Sequence, residues 1–178
     1  MKVQVVLKSG MIGTVNLPDV FQNDLLSEAQ EDVIANLEEG TSCPCCGQSV
    51  KLYPRFLNAT MARALMWLTN EYLATNDWVD KAKIGPAWIQ KCGGEFAKLE
   101  WWGLIEPKLN DDTKKRTSGI WRPTDKGIEF VYKRRRVRSP VLLYNNELFG
   151  FVDNKITIVD ALAKDFDYRE LMNGYKNL

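Results

Sequence analysis

The sequence predicts an α+β fold, and three features carry that expectation. Both ends of the chain hold strand-like apolar segments split by turn residues: KVQVVL (2–7) and MIGTVNL (11–17) around Ser9-Gly10, then VLLY (141–144) and LFGFV (148–152) around Asn145-Asn146. Residues 23–39 and 58–75 instead repeat their apolar positions every three or four residues, the period of an amphipathic helix. The block 92–133 then alternates short helical and strand-like stretches, punctuated by Gly and Pro. With 178 residues, the chain suits one domain, or one domain with small attachments, and can bury a sizeable core.

The elements follow in order. Residues 2–7 and 11–17 form a hairpin, and Pro18 closes it. Leu25, Leu26, Ala29, Val33, Ile34 and Leu37 mark a helix over 23–39, capped by Asn23 or Ser27 and ended by Gly40. The other face of that helix is acidic. VKLY (50–53) is a short strand stopped by Pro54. Asn58 caps a helix over 59–75, whose stripe of Met61, Ala64, Leu65, Leu68, Tyr72 and Leu73, widened by Met66 and Trp67, buries most of its surface. Residues 78–83 suggest one helical turn, broken by Gly85-Pro86. A compact helix over 95–102 stops at Gly103. Strands are expected at 104–109, weakened by Pro107, and at 118–122, with the polar loop 110–117 between them. Pro123-Thr124-Asp125 opens a helix from 126 to about 133. Residues 155–160 are either a strand or the start of a last helix.

Charge is segregated. The net charge is only +1. From Lys8 to Lys51 no other Lys or Arg occurs, while Asp19, Asp24, Glu28, Glu31, Asp32, Glu38 and Glu39 do. From Lys114 to Arg138 the balance reverses: Lys114, Lys115, Arg116, Arg122, Lys126, Lys133, Arg134, Arg135, Arg136 and Arg138 face only Asp125 and Glu129. Such asymmetry points to an anionic partner for one part of the chain and a different role for the other.

The stretch GGEFAKLEWWGLIEPKLNDDTKKRTSGIWRPTDKGIEFV (93–131) holds two landmarks in order: Leu99-Glu100-Trp101-Trp102-Gly103-Leu104-Ile105, and Trp121-Arg122-Pro123-Thr124-Asp125-Lys126-Gly127. It resembles a winged helix-turn-helix domain, in which a helix ending in a large apolar residue and Gly-Leu-Ile feeds a two-stranded wing, and Thr-x-Lys-Gly starts the closing helix. The resemblance covers about 80 of the 178 residues. It implies a winged helix-turn-helix core with an N-terminal hairpin-helix attachment and a C-terminal β-hairpin, divided as 1–57, 58–136 and 137–178. It also implies double-stranded DNA as partner. In that arrangement Phe96, Leu99 and Trp102 point inward, while Lys91, Glu95 and Lys98 face a groove. Lys114, Lys115, Arg116 and Arg122 on the wing, with Lys133, Arg134 and Arg135 after the closing helix, meet phosphate oxygens and give salt-sensitive affinity. The segment before the presumed recognition helix is short and contains Gly85-Pro86, a departure from the family pattern.

Cys43-Pro44-Cys45-Cys46-Gly47 resembles half of a zinc site. Cys43 and Cys46 have the C-x2-C spacing that lets two sulfurs reach one ion, and Cys45 points elsewhere. Cys92 supplies a third sulfur, or two chains donate a pair each, or the knuckle binds no metal. The layout of a CPxCG knuckle ahead of such a core is similar to that of phage- or prophage-encoded regulators.

Catalysis is not expected. There is no histidine, which removes most general-base and triad schemes, and no phosphate-binding glycine motif occurs. No apolar run reaches the roughly 18 residues of a membrane span, and the first apolar segment is too short for a signal peptide, so a cytoplasmic protein is expected. The leading expectation is a non-catalytic DNA-binding regulator or phage accessory factor. The alternative is a module that binds a host protein through the winged helix or the acidic helix. A homodimer fits either.

Overall fold

The computed structural model describes residues 2–16, 24–110 and 118–174. It is a mixed α+β protein in two compact units. The first comprises residues up to 56 together with 140–153, and the second residues 57–139 and 154 onward. In chain order the first unit supplies β1 (Lys2–Val6), β2 (Ile12–Asn16), α1 (Asp24–Ala35), β3 (Thr41–Ser42), β4 (Ser49–Val50) and β5 (Tyr53–Arg55). The second supplies α2 (Ala59–Thr75), β6 (Val79–Asp80), α3 (Lys81–Ile84), α4 (Ala87–Lys91), two 3-10 helices (Gly93–Glu95 and Ala97–Trp102), β7 (Ile105–Pro107), β8 (Ile120–Pro123), α5 (Asp125–Val131) and β9 (Val137–Arg138). The chain then returns to the first unit for β10 (Val141–Tyr144) and β11 (Glu147–Phe151). It ends in the second with β12 (Lys155–Ile156), α6 (Ile158–Leu162) and α7 (Tyr168–Gly174).

In the first unit, the expected hairpin forms with Val5 opposite Gly13 and Val3 opposite Val15. Alternation sends Val5, Leu7 and Val15 to one face, where they meet Val33, Leu37, Leu142 and Phe149 in a single core. Gly13 is required there, because a Cβ would sit 2.2 Å from the Phe149 ring. The second hairpin turns on Asn145 and Asn146, whose φ values of 50° and 59° are the left-handed pair that a two-residue turn demands. Its first strand, β10, lies between β11 and β5. The three-part division at 57 and 137 therefore needs correction: residues 140–153 do not form a third segment but complete the sheet begun by β5. Pro54 does not stop a strand. It lies within β5 opposite Leu142, and a proline without an N–H is tolerated because β5 is an edge.

In the second unit, α2 has the bounds expected of it, with the Asn58 side chain accepting from Met61 N–H at 3.0 Å. Met61, Ala62, Ala64, Leu65, Met66, Trp67 and Leu68 are all buried, so the helix is enclosed on most of its circumference. Around it lie the antiparallel sheet ordered β6-β8-β7 and the helices α5, α6 and α7. Residues 78–83 are not one helical turn. Val79 is buried and pairs with Trp121, and Asp80 accepts from the N–H groups of Ala82 and Lys83 to cap α3. A β-branched residue facing inward and an N-capping carboxylate make a strand end and a helix start instead. Ser139 is buried and ties together three separate stretches of the second unit: its hydroxyl accepts from Leu57 N–H, and its backbone bonds Asn154 in both directions.

Candidate nucleic-acid interface

The stretch 95–102, expected as one compact helix, is 3-10 helical over Ala97–Trp102. Leu99 N–H reaches Phe96 O at 3.2 Å and Gly103 N–H reaches Glu100 O at 2.8 Å. The sequence explains this. Phe96, Leu99 and Trp102 recur every three residues and are all buried, and side chains three apart eclipse in a 3-10 helix. The ridge they form packs edge-on against aromatic neighbours, with Phe96 at 6.5 Å from Trp67 and 5.7 Å from Trp121. Gly103 ends the helix in the left-handed region at φ 63°.

From Gly103 the chain turns into β7, and there the two sequence landmarks meet. Thr124 N–H donates to Leu104 O at 3.1 Å. Its hydroxyl donates to Gly103 O at 2.7 Å and accepts from Gly127 N–H at 3.1 Å, capping α5. Lys126 Nζ donates to Trp102 O at 2.6 Å. Gly127 lies so close that a Cβ would stand 2.1 Å from Leu104 O. Thr-x-Lys-Gly is thus a contact requirement as well as a helix start.

The expected contact residues are distributed as follows. Lys91 is exposed at the end of α4. Lys98 and Glu95 do not face outward as independent contacts: Lys98 Nζ lies 2.5 Å from Glu95 Oε1, and Asn58 donates to the other carboxylate oxygen at 3.3 Å. Arg122 is paired across strands with Glu106 and lies over the Trp78 ring at 4.5 Å. Lys133, with φ 61°, ends α5 and extends over Tyr168 at 4.4 Å. Arg134 lies near the Tyr132 ring at 5.7 Å, and Arg135 pairs with Glu129. Lys114, Lys115 and Arg116 lie outside the described residues.

Lys126 stands in the basic run and in the second sequence landmark but was not expected among the contact residues. Burial lowers the pKa of its ammonium, and the nearby Arg135 and Arg138 lower it further. Those three cations therefore share one locality. Trp102 Nε1 donates to Arg138 O at 2.9 Å, which fixes the basic run 133–138 beside the end of the 97–102 helix.

The cysteine knuckle is a small hairpin in the first unit. β3 pairs with β4, Cys43 N–H donates to Gln48 O, and Gly47 N–H returns to Cys43 O, both at 2.8 Å. Gly47 makes the turn at φ 71°. Backbone N–H groups of Cys46 and Cys45 hold the Cys43 thiol below its ordinary pKa, whereas desolvation followed by the Cys43 charge raises that of Cys45. Cys45 and Cys46 line different cavities, with Cys43 at the edge of both. Cys92 belongs to the second unit, buried, its thiol donating to Trp88 O at 3.3 Å. Zinc favours four ligands. Among the described residues, no group of three or more His, Cys, Asp or Glu is arranged to hold a metal ion, and no helix is long and apolar enough to cross a membrane.

No family model, curated protein or solved structure matches this chain. The functional reading therefore rests on the geometry of the junction and the distribution of charge. Gly127→Ala is expected to lower stability by about 2 kcal/mol or more through overpacking against a backbone oxygen, while Gly94→Ala, where a Cβ meets nothing within 4 Å, leaves it within about 0.5 kcal/mol. Urea denaturation of the two variants checks the contrast.

Proposed function

We propose that this chain is a non-catalytic DNA-binding protein whose second unit is a winged helix-turn-helix domain. The observation that carries the reading is the order β6-β8-β7. The strand that precedes the short helices pairs with β8, the expected second wing strand, and the basic stretch 114–116 falls between β7 and β8 in the sequence. The run beside the 97–102 helix adds Lys133, Arg134, Arg135, Arg136 and Arg138, every one of them exposed. Phosphate contacts dominate the proposed mode. Lys98 is occupied by Glu95, so base reading by the 3-10 helix is a minor part, and affinity comes from the wing and the basic run.

An anisotropy titration with a mixed-sequence duplex at low salt tests this. Binding in the micromolar range or tighter is expected, with log K falling linearly with log salt. The triple variant K114A/K115A/R116A lowers the slope by about 2 to 3, at roughly 0.9 for each phosphate charge that is no longer neutralised. Absence of binding at micromolar protein, or an unchanged slope in the variant, rejects the proposal.

A specific feature of the first unit supports a second reading, docking of a host protein on α1. Glu28, Glu31 and Asp32 are exposed, and beside them a largely apolar cavity of about 290 Å³ is lined by Leu26, Ala29, Val33, Val50 and Tyr144, among others. In a nuclease-treated host lysate, this reading predicts a stoichiometric protein captured by the wild-type chain and absent with Leu26→Asp. Equal capture by both chains, or none, rejects it.

A further inference from the structure

A cavity of about 260 Å³ in the second unit is lined by Thr60 and Arg63 of α2, Trp88 and Lys91 of α4, Cys92, and Phe166. The Arg63 guanidinium carbon lies over the Trp88 ring, 3.8 Å from its centroid, and over the Phe166 ring at 4.9 Å. Two aromatic rings hold the guanidinium by cation–π contact while its N–H groups remain available as donors. Arg63 Nε is buried with no hydrogen-bond partner, and among the described residues neither Arg63 nor Lys91 has an ion-pair partner. A guanidinium and an ammonium that line one cavity with no carboxylate partner favour an anion between them.

The surroundings favour an anion. Burial raises the Cys92 pKa, so the thiol stays neutral at ordinary pH and adds no negative charge. Lys98 and Asn58 hold the Glu95 carboxylate. The volume is several times the roughly 30 Å³ of one water and just under the roughly 300–1,000 Å³ of drug-sized ligand sites. That suits a tetrahedral anion with its first ester atoms.

We propose that this cavity is a phosphate-binding site, in which the Arg63 guanidinium and the Lys91 ammonium together hold a phosphate group and the Thr60 hydroxyl donates a further hydrogen bond. Two cations at one mouth match a phosphate dianion better than a single carboxylate, and charge-assisted hydrogen bonds of this kind are among the strongest. The phosphate belongs either to a nucleic-acid backbone or to a small phosphorylated molecule. The inference does not depend on DNA binding by the wing.

The test titrates inorganic phosphate into the full chain while following the Trp88 indole N–H resonance. A saturable shift is expected, absent when chloride at equal ionic strength replaces phosphate. Lys91→Gln, at an exposed position, weakens it about tenfold, and Arg63→Gln abolishes it. If the Arg63 variant does not fold, the Lys91 variant decides. No saturable shift, or one that Lys91→Gln leaves unchanged, overturns the proposal. A short duplex then distinguishes the sources. Displacement of bound phosphate by the duplex, with weaker duplex affinity in Lys91→Gln, identifies a backbone phosphate. Phosphate retained beside bound duplex identifies a small phosphorylated ligand. The K114A/K115A/R116A variant keeps the phosphate shift in either case, so failure of the wing reading and failure of the pocket remain separable.

Discussion

The backbone contact between Leu104 and the start of α5 is the constraint on which the candidate interface depends. Leu104 O accepts from Thr124 N–H and leaves no space for a side chain at position 127. Thr124 closes the same junction from its side chain, donating to Gly103 O and accepting from Gly127 N–H. Four elements are fixed at that point: the 97–102 helix, β7, β8 and α5. The basic run follows from it, since Lys126 bonds the helix end at Trp102 O and Trp102 in turn bonds Arg138 O. Moving any one partner would move the positive charges relative to the hairpin.

Charge alone would have suggested a broader cationic surface than the side-chain geometry supports. Lys98, Arg122 and Arg135 each have a carboxylate partner. Such partly exposed pairs contribute little to stability, so an arriving phosphate can replace the carboxylate, but each exchange gains less than contact with an unpaired cation. Lys126, Arg135 and Arg138 act differently. Burial is the largest cause of the lowered Lys126 pKa and the charges of Arg135 and Arg138 add to it, and a locality of crowded positive charge is one that an anion stabilises.

Much of the architecture was legible in the sequence because local signals agreed with the fold. The α2 stripe, its Asn58 cap, the Asn145-Asn146 turn and the stop at Gly103 each act within a few residues. What was missed depended on distant partners or on a competing period. The β10–β5 pairing joins residues far apart in the chain, and nothing near Pro54 announces that it will lie on an edge. Val79 reads as part of a helical turn until Trp121 is placed opposite it. The 3-10 helix had a visible signal, the three-residue recurrence of Phe96, Leu99 and Trp102, but that spacing also fits an α-helix. Arg63 gave no signal at all, since its significance lies in the rings of Trp88 and Phe166, both distant from it in sequence, packing against it.

The most direct test of the account is native-state hydrogen exchange at the Thr124 and Gly127 amides. If the junction organises the second unit, both amides exchange only through the same large opening that exposes the α2 core amides around Leu65, and with the same dependence on denaturant. Exchange through small local openings, at rates close to those of the exposed Gly93 and Gly94, would contradict it. The β7–β8 pair and the basic run would then be attached to the helical core independently rather than held in register by one shared contact.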